Sequence, residues 1–392
     1  MIDAANFSLD ARGLDNVTGL LQGFVAQKHV MGCAMAIAKH GRVGYKQYFG
    51  LQDQEKGIPI QENTIYRIYS MSKMLTCVAA MQLYEKGLFK LSDPLYAFIP
   101  EFKNQKVATE EGGNITLQSP ATPVTIQNLF AMMSGICYPG GGSYAAKQMA
   151  AYMDALPEET STLDVVRGMP AHVPLHFHPG THWEYGFSHD VLGALIEVLS
   201  GDTLGVYLQK HIFGPLGMVD TGFFVPEEKL HRVCGIYGPD GNGDLKSLNS
   251  SYVPLTAPPP MESGGGGLYS TLDDYLNFAL ALGDGGKSGT ARILGRKTLN
   301  LMAQDLMVGP QHDEFFPRLK GYGYGLGVRV AIAPHFGGYN ASPGAFGWDG
   351  MAGTWFDIDP QEHMVCVYMT QIVPGDHDRA IPLITAALNS AL

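Results

Sequence analysis

The sequence predicts an α+β fold: an antiparallel sheet with helices on both faces, joined to a mostly helical lobe. Three observations predict it. Glycine-separated strand signals run from Gly264 onward, over Tyr322 to Val330, Gly353 to Ile358 and Met364 to Thr370. Residues from about Leu88 to about Val253 are instead rich in helix signals and loops. A third run, Met74 to Gly87, is apolar on nearly every side and closes on a glycine, the pattern of a buried central helix.

The elements follow in order. An amphipathic helix near Leu14 to Lys28 opens the chain, and the apolar helix after Ser70 comes next. Pro139-Gly140-Gly141-Gly142-Ser143 reads as a cleft rim. Near the C-terminus, Trp355 to Pro360 and Met364 to Thr370 read as two strands joined at Asp359 to His363. A final helix, Ile381 to Leu392, is expected to pack back on the sheet. There is no internal repeat and no long disordered linker.

Composition bounds the setting. A chain of 392 residues with 45% apolar side chains can bury a large core. Its net charge of -11 disfavours nucleic acid or an anionic membrane surface as a partner. No apolar run reaches spanning length, and Met1 to Phe7 lacks the basic-then-apolar pattern of a secretion signal, so a cytoplasmic location is expected. Cys33, Cys77, Cys137, Cys234 and Cys366 are odd in number and lack C-x-x-C spacing, which favours free buried thiols over disulfides or zinc.

Chemistry first shows in Ser70-Met71-Ser72-Lys73. One helical turn brings the serine and the lysine onto the same face. The ordinary reading is a serine that caps the helix and a lysine that snorkels to water. The catalytic reading is a nucleophile beside its base: burial favours a neutral amine, and such an amine can take a hydroxyl proton. Tyr185 follows the Pro179-Gly180 turn and precedes a helical run that begins near Ser188, where a side chain can be aimed into a cleft. Beside a cationic lysine it could pass a proton to a leaving group, whereas the ordinary reading packs it with Trp183 under a loop. Glycines on either side of Trp348 let a strand approach a ligand closely, and an N–H there, paired with that of the nucleophilic serine, makes an oxyanion hole.

The order S-x-x-K, then P-G-x-x-W-x-Y, then W-x-G resembles the serine β-lactamase/penicillin-binding-protein superfamily, its class C-like branch, and most closely the family VIII carboxylesterases. Further segments are similar along most of the chain: Gly32 to Gly50 as an opening hairpin turning at His40-Gly41, Val124 to Phe130 with Ser134-Gly135, Ile212 to Thr221, and Gly264 to Gly267 followed by Ser270, Asp274 and Phe278. The resemblance implies a β-lactamase/transpeptidase-like fold. Residues 1-87 and 253-392 would form the α/β lobe and 88-252 the helical one, with the site between. It also implies Ser70 as acyl nucleophile, Lys73 as base, Tyr185 as proton shuttle, and backbone N–H groups of Ser70 and Met351 as the oxyanion hole.

Departures from the lactamase pattern point to the substrate. Tyr185-Gly186-Phe187 stands where lactamases have Y-x-N, Trp348-Asp349-Gly350 where they have K-T-G, and Met132-Met133 where they have H-T. The amide and lysine that hold a β-lactam are absent, and Asp349 would repel an anionic lactam if it faces the cleft. Trp348, with Tyr138 on the opposite rim, would wall a small apolar acyl pocket beside Phe187 and Gly350.

A short-chain carboxylic ester is therefore the expected substrate, with no cofactor and no metal. The same motifs leave open a D-amino-acid peptidase or amidase, a weak β-lactamase, an acyltransferase, or a non-catalytic scaffold. His176, His178, His182 and His189 crowd the Tyr185 segment and read as rim or packing side chains rather than metal ligands. A Ser-His-Asp triad on an α/β-hydrolase scaffold would need a G-x-S-x-G elbow, which the chain lacks.

Overall fold

The computed structural model describes residues 9-392, so the segment read for a secretion signal lies outside it. Strands β1 (Gly32–Lys39), β2 (Arg42–Asp53), β3 (Ile58–Pro59), β4 (Tyr322–Tyr324), β5 (Arg329–Ala331), β6 (Phe346–Asp349), β7 (Trp355–Asp359) and β8 (Met364–Thr370) form an eight-stranded sheet in the order β4-β5-β6-β7-β8-β1-β2-β3. Every neighbouring pair within it is antiparallel. The two ends of the chain meet where β1 pairs β8, from Cys33 opposite Thr370 to Lys39 opposite Met364. β1 is buried along its whole length, which is why its sequence is a continuous run of small and apolar residues rather than an alternating one. The β1–β2 turn sits at His40-Gly41, both in the left-handed region (φ 51° and 74°) that a two-residue hairpin requires.

Helices cover both faces. On one side α1 (Ala11–Ala26) packs on β2 and on α5 (His377–Asn389), while on the other α4 (Leu272–Gly283) packs on β8, β7 and β1. Helix α2 (Ser72–Glu85) lies against α3 (Ser188–Ser200) and is buried at nearly every position, so its sequence shows no polar stripe. The segment between α2 and α3 carries the helices Ile126–Phe130, Tyr144–Asp154 and Thr162–His172 and a hairpin at Val107–Glu111 and Asn114–Gln118, joined by long loops.

Two sequence expectations are corrected. Tyr322 to Val330 is not one strand but the hairpin β4–β5, because Gly327 takes φ 91° and Gly325 N–H bonds the Val328 carbonyl, closing a turn. The last helix starts earlier, at His377, and lays its apolar side chains against α1. Met364–Thr370 matches the expected strand. All five cysteines are buried and free.

Candidate active site

Ser70 lies in a single 3-10 turn, Tyr69–Met71, wedged between the short ladder strand Ile65–Arg67 and α2. Tyr69 has φ 44°, a left-handed conformation that costs a non-glycine residue about 1–2 kcal/mol. That bend places Ser70 ahead of α2 rather than at its cap. The helix begins at Ser72 and has no side-chain cap at all. The hydroxyl is thus free of the structural duty a helix-start serine usually has, and it lies 3.3 Å from Lys73 Nζ.

Lys73 is completely buried. Its ammonium donates to Ser70 Oγ, to Tyr138 Oη at 2.9 Å, and to the Gly265 carbonyl, so each of its N–H groups finds an acceptor. The rings of Tyr185 and Tyr138 flank it with centroids at 4.6 Å and 5.4 Å, within cation–π range. Burial alone would drive the ammonium toward the neutral amine. The oxygens of Tyr138 and Tyr185 and the Asp190 carboxylate outweigh it, and the net effect raises its proton affinity above that of an ordinary lysine. These contacts favour the ammonium form, whereas burial by itself favours the neutral amine that the sequence suggested. Burial pushes the Tyr138 phenol upward against the pull of Lys73.

Tyr185 stands on the loop before α3, as expected, but its hydroxyl is not the partner of Lys73. It accepts the Trp348 indole N–H at 3.1 Å, and the ammonium lies over its ring instead. Tyr138, expected on the opposite rim, is the tyrosine that hydrogen-bonds the lysine. Its ring meets Tyr185 and Phe187 edge-on. Phe187 is 6% exposed and Trp348 1%, so both support the tyrosines from behind more than they wall a pocket.

The strand end that follows is held close. Gly350 N–H donates to the Thr354 carbonyl, and the Gly350 carbonyl accepts from Gly353 N–H and His377 Nε2. A Cβ on Gly350 would fall 2.4 Å from the Ile68 carbonyl, so only glycine lets this strand end pass beside the segment that leads to Ser70. Asp349 is 7% exposed and pairs with Arg318 at 2.7 Å, so its charge is neutralised rather than offered to a ligand. Burial raises the Asp349 carboxyl, but Arg318, His377 and Arg329 outweigh it and hold it below the usual carboxylate range.

Several neighbours escaped the sequence reading. Phe316 packs on Tyr185 and Trp348, and Glu314 accepts the Trp183 backbone N–H at 2.8 Å, tying a distant loop to the Tyr185 segment. The only sequence signals were an aromatic pair and a lone acid, which carry no spacing information. The four histidines are dispersed: His176 bonds Glu184, His182 bonds Glu314, His178 accepts the Ala121 N–H, and His189 is buried and neutral, its proton affinity lowered by burial and by Lys73 to about 3. Among the described residues no cluster of His, Cys, Asp or Glu is placed to hold a metal ion, and no single helix is long and apolar enough to cross a membrane.

Comparison with known proteins places the chain in a family. A family model described as Beta-lactamase matches residues 17–389. Protein Rv1367c of Mycobacterium tuberculosis is 33% identical over 333 residues, covering 83% of this chain and 82% of that protein. Esterase EstB of Burkholderia gladioli is 27% identical over 378 residues, covering 91% and 90%. Among solved structures, EstCE1, described as a hydrolase with promiscuous acyltransferase activity, is similar with a TM-score of 0.79 at 25% identity, covering 96% of this chain and 98% of that one.

Proposed function

We propose, from the premise that this chain belongs to the beta-lactamase family, whose members here include esterase and acyltransferase relatives, that it is a serine hydrolase of short-chain carboxylic esters acting through an acyl-enzyme on Ser70. The observation that carries the reading is the contact of Ser70 Oγ with a buried, fully hydrogen-bonded Lys73 packed between two tyrosines. In the acylation step Ser70 Oγ attacks the ester carbonyl carbon and gives up its proton. Tyr185 gives its own hydroxyl proton to the leaving alkoxide as it takes the serine proton, its oxygen held by the Trp348 N–H and its ring packed against the ammonium. The oxygen of the tetrahedral adduct rests on the N–H groups of Ser70 and Met351. Water then repeats the sequence and frees the acid.

Esters fit better than penicillins. Arg318, the cation beside the strand end, is already committed to Asp349 and Asp378, so it is poorly placed to hold a carboxylate. Aromatic bulk at Tyr138, Tyr185 and Phe316 favours small uncharged acyl groups. A second reading, transfer of the acyl group to an alcohol, is favoured by the similarity to EstCE1 and would appear as ester exchange when an alcohol is added.

The test is turnover of p-nitrophenyl acetate and butyrate beside nitrocefin and a D-alanyl amide, with mass spectrometry after a phosphonate. Ester hydrolysis and an adduct on Ser70 are expected, and Ser70→Ala is expected to lose turnover by several orders of magnitude while staying folded. An adduct on Ser72 or Ser188, or full activity in Ser70→Ala, would overturn the assignment.

A further inference from the structure

Asp190 lies in the first turn of α3 and is completely buried. Its Oδ1 accepts the Ser263 hydroxyl and, at 3.1 Å, the Gly265 N–H. Its Oδ2 is buried with no hydrogen-bond partner. Buried polar groups are ordinarily satisfied, and a carboxylate with only a structural task would be satisfied at both oxygens.

The second oxygen lies against the Gly265 turn, on the side where Tyr138 also approaches it. A Cβ on Gly265 would lie 2.3 Å from Asp190 Oδ2 and 3.0 Å from Tyr138 Oη, so the absent side chain is what lets carboxylate, phenol and turn converge. Gly264 fits between helices in the same way, its carbonyl accepting from Thr76 of α2. Gly265 thus gives its N–H to Asp190 and its carbonyl to Lys73, linking the two charges through a single residue. The titratable groups around this point are Lys73 and Cys77 on α2, Tyr138 and Tyr185 on their loops, and His189 on α3. His189 is neutral and burial raises the Cys77 thiol, so Lys73 is the one cation among them. Burial raises the Asp190 carboxyl above the usual carboxylate range, and Lys73 and the Ser263 and Gly265 hydrogen bonds offset only part of that rise.

We propose that Asp190 is the positioning residue of Lys73, holding the Gly264-Gly265 turn against the ammonium with one carboxylate oxygen and supplying its buried counter-charge with the other. This rests on Ser70 being the acylated nucleophile. The carboxylate keeps Lys73 a cation within reach of Ser70 and Tyr138, and it never touches substrate itself.

Asp190→Asn keeps an oxygen for Ser263 and Gly265 and deletes the charge, which separates the two roles. Removing a negative charge lowers the proton affinity of every neighbouring group. Both limbs of the pH dependence of kcat/KM for p-nitrophenyl butyrate are therefore expected to move to lower pH by about one unit or more, with the rate down ~10-fold or more. Phosphonate labelling of Ser70 should slow in parallel. Ser263→Ala removes one hydrogen bond and keeps the charge, so it should lower the rate with the limbs in place. Unmoved limbs in Asp190→Asn, or limbs moved as far in Ser263→Ala, overturn the proposal.

Should Asp190→Asn fail to fold, isotope-labelled lysine NMR of the wild-type protein decides. The Lys73 signal, identified by its loss in Lys73→Arg, is expected to remain that of an ammonium beyond the range in which exposed lysines titrate. Titration with them or below them overturns the proposal. A wild-type protein that neither hydrolyses esters nor takes the phosphonate on Ser70 overturns the esterase reading alone, and the NMR measurement still tests whether Lys73 is held as a cation.

Discussion

The Trp348 indole N–H donates to the Tyr185 hydroxyl oxygen at 3.1 Å, joining the end of β6 to the loop ahead of α3. That donor occupies one lone pair of the oxygen and leaves the tyrosine's own proton free to point elsewhere. Trp348→Phe keeps most of the ring and removes only the donor. It is expected to lower kcat on p-nitrophenyl butyrate by ~10- to 100-fold with KM changed far less, since the interaction strengthens as charge develops. Equal loss in KM would place Trp348 in substrate binding instead.

Lys73 reaches Tyr138 through a hydrogen bond and Tyr185 through its ring, so the two tyrosines are coupled through one ammonium. Tyr138→Phe and Tyr185→Phe are each expected to cut kcat, Tyr185→Phe more deeply, and the double variant to be much less than multiplicatively worse. Steady-state kinetics of the four proteins in a cycle check this. Multiplicative losses would mean that the tyrosines act independently.

Arg318 and Asp349 form a pair with side chains 18% and 10% exposed. Arg318→Met leaves a buried carboxylate uncompensated and is expected to destabilise the fold by about 3–5 kcal/mol. Adding Asp349→Asn should restore much of that loss, read as a return of the urea midpoint toward wild type. If the double variant is no more stable than Arg318→Met, the pair is not what stabilises this corner.

Acid stability follows from two carboxylates. Asp349 is described above, and in Asp220 the effect of burial is outweighed by Arg232 and Lys229, so both lie below the usual carboxylate range. A depressed folded-state value means that stability is in place above the ordinary carboxylate pKa of about 4 and is lost as pH falls through the folded value. Unfolding midpoints should thus hold down to about pH 4 and drop below it. The drop should be shallower in the Arg318→Met, Asp349→Asn protein, as measured by thermal unfolding across pH.

With Arg318 committed to Asp349, selectivity against anionic lactams is expected. The kcat/KM for nitrocefin is expected to be ~100-fold or more below that for p-nitrophenyl butyrate, and ester rates should fall as the acyl chain lengthens beyond a few carbons. If nitrocefin matches or beats the ester, a group other than Arg318 anchors its carboxylate and the lactamase reading prevails.

The sequence by itself determined what depends on near neighbours. The three-residue step from Ser70 to Lys73 puts both on one helical turn, His40-Gly41 closes a hairpin, and the apolar run Met364–Thr370 is a buried strand, each because local backbone geometry decides it. Only the tertiary structure decided which tyrosine meets the lysine, that Asp349 is paired by Arg318, and that Gly265 joins Asp190 to Lys73. Those contacts link residues far apart along the chain, and they are fixed by how α2, α3 and the sheet pack against one another. The charge state of Lys73 belongs to the same class. Burial pulls it one way and the surrounding oxygens the other, and only their placement in space says which effect wins.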